Sequence, residues 1–524
     1  MVIHMCDKQK QPENQEVPID STLLAHLKSK LSRLSALLKR EESSDAEDDL
    51  SFYHDGEDVR VNSLTSPPPE EEIRIPTIWA FEVYTPTCIN NLRRGATTLG
   101  WVSSDGMFIN PDFTNRVEDF RSRASGGGWL NLGYIVNEGK STWPMHRQGP
   151  LPDKVRSIRA AIHQPLPSTT ILICQFLFEE SAIISVEQTL RAEYATYSTP
   201  IRGGRRFISV ENQKHEATNT MRAYLRSICT NWIKEHVPGY FSSEYSISGI
   251  PTCELVTFKH CRPYEPIGTP IYSFLQMLNL EHNYQAWKTD DAKGMFFQFF
   301  EVVEHEFGRA VITGKLDEML AGQSLEAYGK DRESQILNWV RYLDHTLGAW
   351  VLYVLTLDFE KQLGMIRDDY GNIDISNIKT AAKDAIHIDH KLLHLQRDVV
   401  PFADDLTAYC ENEHVFMHEV CNFSPANDRR KAGNLFKSMK EAMVSKARYL
   451  VRVEAQTRAI AIRVGQVISS ITTDKLANSN LKLQRGVYWM TFMLLVLTVV
   501  LVFAEFKDYT VDWVLIQRVL HFGS

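Results

Sequence analysis

The eight cysteines of this 524-residue chain form no C-x-x-C pair. They lie at positions 6, 88, 174, 229, 253, 261, 410 and 421, without the spacing of a zinc module or a secreted disulfide framework, so reduced thiols are the default. A net charge is also missing over most of the length. Residues 1–72 hold 16 acidic and 8 basic side chains, while the rest of the chain holds 49 of each, so the overall −8 belongs to the N-terminal segment. No basic field argues for direct nucleic-acid binding. Met1 to Gln15 carries no apolar core of signal-peptide length, which argues against export by that route. Catalytic signatures are absent too: there is no G-x-S-x-G and no kinase set, and His305-Glu306-Phe307-Gly308-Arg309 lacks the second histidine of H-E-x-x-H. An enzyme with dispersed residues stays open, because triads are defined by geometry, but no motif asks for one.

What is present is an ordinary globular composition, 44% apolar and 23% charged, with length for roughly three domains. One segment stands apart. Gly486 to Ala504 reads GVYWMTFMLLVLTVVLVFA, 19 residues without a charge. At ~1.5 Å per residue it covers about 28 Å, the hydrocarbon thickness of a bilayer. Tyr488 and Trp489 open it and Phe503 and Phe506 close it, as interfacial anchors do. The alternative is a buried core helix. Lys475, Lys482 and Arg485 precede the span, whereas its far side mixes Lys507 and Arg518 with Glu505, Asp508 and Asp512. That asymmetry predicts a tail-anchored protein of the cell (inner) membrane with its N-terminal domains cytoplasmic.

The expected architecture is an α+β (or α/β) cytosolic domain, then an all-α helical domain, a long stalk helix and one C-terminal transmembrane helix. Residues 1–72 combine an amphipathic stretch carrying Leu23, Leu24, Leu27, Leu31, Leu34, Leu37 and Leu38 with a disordered acidic linker, EESSDAEDD and SPPPEEE. Over 73–268, IRIPTIWAFEVYT, TTLGWVSS, STTILICQFLF and PTCELVTFKHC read as strands, and VEDFRSRA, SAIISVEQTLRAEYAT and KHEATNTMRAYLRSICTNWIKEHV as helices. From 269 to 426 nearly everything reads helical, including MFFQFFEVVEHEFGRAV. Its run LGAWVLYVLTLDF is short enough to be a core helix rather than a second span. Residues 427–485 hold 13 basic against 4 acidic side chains and no proline, and lead straight into the span at 486–505, with a short tail over 506–524. Such a helix exceeds 100 Å, too long to stand alone, so Ile460, Val464, Val467, Ile468 and Ile471 are expected to pack between subunits of a homo-oligomer.

Three constellations could carry function. Ser470, Ala477, Gln484, Thr491 and Thr498 are spaced by seven and line one helical face. Gln484, Thr491 and Thr498 would then line a pore or pack helices together, unless the threonines satisfy themselves on their own backbone. His387, His390 and His394, with Glu411, His414 and His418, fall at helical spacings that a divalent-cation site in a bundle would use, although an interhelical histidine face fits equally well. Arg202, Arg205 and Arg206 flank Gly203-Gly204, and Arg121 and Arg123 precede Gly126-Gly127-Gly128. Guanidinium groups on flexible turns could grip the phosphates of a nucleotide-like ligand, and basic hairpin turns are the plainer reading.

A long cytoplasmic helix that becomes a membrane helix behind an α/β domain and a helical bundle resembles the CorA-like membrane channel superfamily over residues 73–505. Where those channels carry Gly-Met-Asn, this span ends in Ala504-Glu505-Phe506-Lys507, and the segment Tyr509 to Leu520 is interrupted by Asp512 and Arg518. No selectivity residue carries over. The layout also resembles the membrane effectors of prokaryotic antiviral systems, which join a cytosolic sensing domain to a membrane-disrupting helix. Both resemblances imply a ligand-gated or defence-related assembly whose C-terminal helices form or perturb an ion path. The competing expectation is a tail-anchored scaffold or enzyme with an inert anchor.

Overall fold

The computed structural model describes residues 55–101, 113–123, 128–137, 146–201, 204–264, 273–280, 286–289, 294–299, 308–321, 331–412, 422–427 and 433–520. The helices of ten residues or more are α1 (Asp55–Thr65), α2 (Ile89–Thr98), α3 (Phe113–Ser122), α4 (Val210–His236), α5 (Asp344–Gly371), α6 (Ile378–Glu411) and α7 (Leu435–Leu520). The strands are β1 (Ile73–Tyr84), β2 (Gly128–Val136), β3 (His146–Gln148), β4 (Val155–Leu166), β5 (Thr169–Phe178), β6 (Tyr197–Ile201), β7 (Gly204–Ile208), β8 (Thr252–Phe258), β9 (Ala286–Thr289), β10 (Met295–Phe299), β11 (Arg309–Lys315) and β12 (Phe423–Pro425).

The chain divides into two compact units. In the described part of the smaller, α1 is tied by polar contacts to the residues just ahead of β6. Asp58 accepts hydrogen bonds from the Thr196 amide (2.7 Å) and hydroxyl (2.6 Å), and Asn62 exchanges bonds with both backbone groups of Tyr194. Within the segment expected to be an amphipathic helix and a disordered linker, Asp55–Thr65 is thus an ordered helix, its Asp58 and Asn62 side chains satisfied by the chain itself. The leucine-rich stretch at 23–38 and the acidic run at 41–49 lie outside the described residues.

The larger unit is built on a ten-stranded sheet in the order β12-β9-β10-β11-β8-β1-β5-β4-β2-β3. A strand covered on both faces needs apolar side chains at successive positions rather than alternate ones. β5 is buried throughout, and β1 everywhere but Arg74. Neighbours pair antiparallel except β8–β11 and β2–β3. On one face lies α4, whose Trp232 meets Phe176 edge-on at 5.7 Å and whose Arg222 and Arg226 bind Glu254 of β8. On the other lies α5, with Trp350 edge-on to Phe81 at 5.9 Å. Near its start α5 brings Asp344 onto Arg159 of β4, a pair almost wholly buried. Gly348 allows the close approach, since a side chain there would meet His163 Nδ1 at 2.4 Å.

The all-α domain expected over 269–426 is corrected by the sheet. β9, β10, β11 and β12 all fall inside it, and β11 runs parallel to β8, so one sheet crosses the expected boundary between residues 268 and 269. MFFQFFEVVEHEFGRAV opens on MFFQFF, apolar at five of six positions, and a short run of that kind fits either a buried strand or a buried helix. Gly294 and Gly308, both left-handed (φ +79° and +78°), punctuate it into strands. The run LGAWVLYVLTLDF is a core helix as expected, with Leu347, Trp350, Leu355 and Phe359 buried within α5.

Candidate functional site

α7 is a single uninterrupted helix of 86 residues, about 130 Å at ~1.5 Å rise. Its first part belongs to the body. Leu435, Met439, Met443, Ala447, Leu450 and Val453 are buried in the main core beside α5 and α6. Polar ties flank them: Lys446 pairs with Glu360 of α5 (2.7 Å), and the buried Glu454 accepts from Gln396 of α6. Ile468, with Val464 beside it, then packs on Ala381 and Ala385 of α6. Positions expected to join subunits are thus used within one chain, while Val467 is exposed.

From Thr472 to Glu505 every side chain is exposed. The helix is long and apolar enough to cross a membrane, and nothing among the described residues covers its apolar run. Among the described residues the run is therefore not the buried core helix that was its alternative. Thr491 and Thr498 lie on it and Gln484 just before it, all exposed. Both threonine hydroxyls donate to the carbonyl one turn back, Thr491 to Val487 (2.9 Å) and Thr498 to Leu494 (2.8 Å). Their donors are satisfied without water, while their oxygen lone pairs remain acceptors. The helix continues past the span to Leu520, in place of a separate tail.

The histidine and arginine constellations disperse. His387 and His390 are exposed on α6, and His394 stacks on Tyr245 at 4.6 Å. Glu411 is exposed and near Arg448 (3.8 Å), while His414 and His418 lie outside the described residues. Among the described residues no group of three or more His, Cys, Asp or Glu side chains could hold a metal ion. Arg121 is engaged by the protein itself, donating to Thr170 Oγ1 (3.0 Å), the Ser168 carbonyl (3.2 Å) and the Tyr84 carbonyl (3.4 Å). Burial, with Arg93 nearby, lowers its pKa. It clamps the β4–β5 turn. Arg123 pairs with Asp119 and lies over the Phe120 ring (5.3 Å). Arg206 is exposed, Arg205 lies on β7 and Arg202 is outside the described residues.

A cleft of about 420 Å³ lies elsewhere, at the ends of the parallel strands β8 and β11. α4 contributes Arg226, Ser227 and Thr230; the turn before β8 contributes Ile247, Ser248 and Ile250; Thr252, Gly308 and Arg309 open the two strands; and Lys361 reaches in from α5. Its walls are fixed from behind. Asp358 of α5 accepts hydrogen bonds from the amides of Ile247 (3.0 Å) and Ser248 (2.7 Å), the Ser248 hydroxyl, and Tyr240 Oη (2.7 Å). Arg226 is held by Glu254, which Arg222 shares. Burial acts to raise the pKa of Glu254, but the two guanidinium charges and their hydrogen bonds outweigh it and hold the carboxyl below its usual value. Behind the cleft, two guanidinium groups therefore face two buried carboxylates, Glu254 and Asp358.

This site escapes sequence reasoning because its lining comes from positions 223 to 361, with no local pattern. One sign was available: Glu254 interrupts the apolar strand PTCELVTF, and a carboxylate there requires a buried cationic partner. No protein-family model and no curated protein matches this chain.

Proposed function

We propose that the protein is a membrane-anchored effector whose C-terminal helices, contributed by several copies, form or perturb an ion-conducting path, with the α/β body as its sensor. The observation that carries this reading is the continuity of α7 from the buried Leu435 through the exposed apolar run. An inert anchor needs only a flexible tether, whereas an unbroken helix moves with the body that grips it. The 14 residues of α7 between Thr472 and Arg485 are exposed and carry Leu476, Leu481 and Leu483, a surface that calls for partner helices before the bilayer. Gln484, Thr491 and Thr498 supply oxygens at three depths on one seam. Because the threonine donors are already used, the seam favours cations over anions. Lys475, Lys482 and Arg485 orient the body to the cytoplasm.

A second reading has its own support. Hydroxyls satisfied on their own helix cost nothing in lipid, so a tail-anchored scaffold with an inert span is the competitor. Cation flux from liposomes reconstituted with the full chain separates the two. Replacing Thr491 and Thr498 together by valine should lower flux by roughly ten-fold while retention in the vesicles is unchanged, with Thr510→Val as control. Absence of flux in the parent, or parental flux in the double variant, replaces the pore with the anchor.

A further inference from the structure

We infer that the cleft between α4, α5 and the ends of β8 and β11 is a binding site for a soluble, phosphate-bearing small molecule. Three features argue for that chemistry. The charged residues lining it are all basic: Arg226, Arg309 and Lys361. Its polar lining is otherwise hydroxylic, from Ser227, Thr230, Ser248 and Thr252, groups that donate readily to phosphate or sugar oxygens. No aromatic ring is among its described lining residues, so recognition rests on the anion and not on stacking against a base. The volume of about 420 Å³ lies in the range of small-molecule sites and exceeds what a lone inorganic ion needs.

Preorganisation points the same way. Asp358 fixes the amides of Ile247 and Ser248 and so holds one wall. The Arg222–Glu254–Arg226 cluster holds the other and fixes the Arg226 side chain in place. A site already rigid loses less entropy on binding. The cleft also sits far from the span. Lys446, which pairs with Glu360 next to Lys361, precedes Gly486 by some 40 residues of α7, about 60 Å along the helix, so a headgroup of the anchoring bilayer is out of reach and a dissolved ligand is required. That same Glu360–Lys446 pair ties the ligand-facing turn of α5 to α7. The cleft would then be the input of the effector, a clause that rests on the function proposed above.

The test is titration calorimetry on the detergent-solubilised full chain with pyrophosphate, ATP and adenosine as probes. Pyrophosphate and ATP should bind with Kd on the order of 0.1 mM and adenosine at least ten-fold more weakly. Lys361→Gln changes an exposed side chain and should weaken both anions about ten-fold with unchanged melting temperature, Lys361→Arg should restore them, and Arg309→Gln should act in the same direction. Equal binding of adenosine and ATP, no heat from either anion at ~5 mM, or parental affinity in both glutamine variants would overturn the site. The binding arm stands apart from ion flux. Binding without flux keeps the cleft and removes the pore, whereas flux in a chain that binds no anion does the reverse.

Discussion

Glu82 shows how one buried carboxyl records its surroundings. It accepts hydrogen bonds from the amides of Phe241 (2.7 Å) and Val83 (2.9 Å) and from Ser242, yet burial dominates and pushes its pKa up to about 7. Between pH 4.5 and about 7 the folded chain therefore keeps a proton that the unfolded chain has released. Stability contributed by that proton is complete below the unfolded value and lost as pH rises through the folded one, by on the order of 3 kcal/mol. Glu82→Gln should flatten the slope across this window, read as urea midpoints at pH 5 and pH 8. An unchanged slope would place the titration elsewhere. Charges in apolar strands were the sign most easily passed over: Arg159 and His163 disguise VRSIRAAIHQPL, which is nonetheless strand β4 because Gln175 and Asp344 receive the arginine.

At the scale of elements, α7 reverses one expectation. Ile468 packs on Ala381 and Ala385 of the same chain, so a charge there should loosen α6 instead of separating subunits. Ile468→Glu is expected to cost on the order of 2 kcal/mol locally and to speed hydrogen exchange over 378–388 while the solubilised mass stays constant. Val467→Glu, at an exposed position, should leave that exchange unaltered. A fall in mass with no change in exchange would restore the intersubunit reading. Readability followed length and periodicity. The 28-residue α5, the 34-residue α6 and the apolar span announced themselves, because a long pattern leaves one period to choose. β9, β10 and β11, at 4, 5 and 7 residues, did not, since runs that short suit both kinds of core. The cleft was hidden for a different reason, namely that tertiary contact alone assembles it.

For the whole molecule, the basic residues ahead of the span set an expected sidedness. Protease added to sealed cells or right-side-out vesicles should spare everything before Gly486, and opening the membrane should expose it; cleavage within 73–480 in sealed preparations would invert the topology. The sheet adds a constraint on how copies can meet. Its outermost strands, β3 and β12, are three residues each, whereas the central β1 and β4 have twelve. Strand addition needs a row of unpaired amides and carbonyls. Among the described residues β12 offers only a stub, while β3 pairs with Tyr134–Val136 of β2 and leaves Gly128–Gly133 without a strand on that side. Edge-to-edge pairing between copies would be confined to that short stretch of β2, whose register is broken by a bulge between Asn131 and Gly133. Crowding at high expression should give discrete assemblies rather than fibrils.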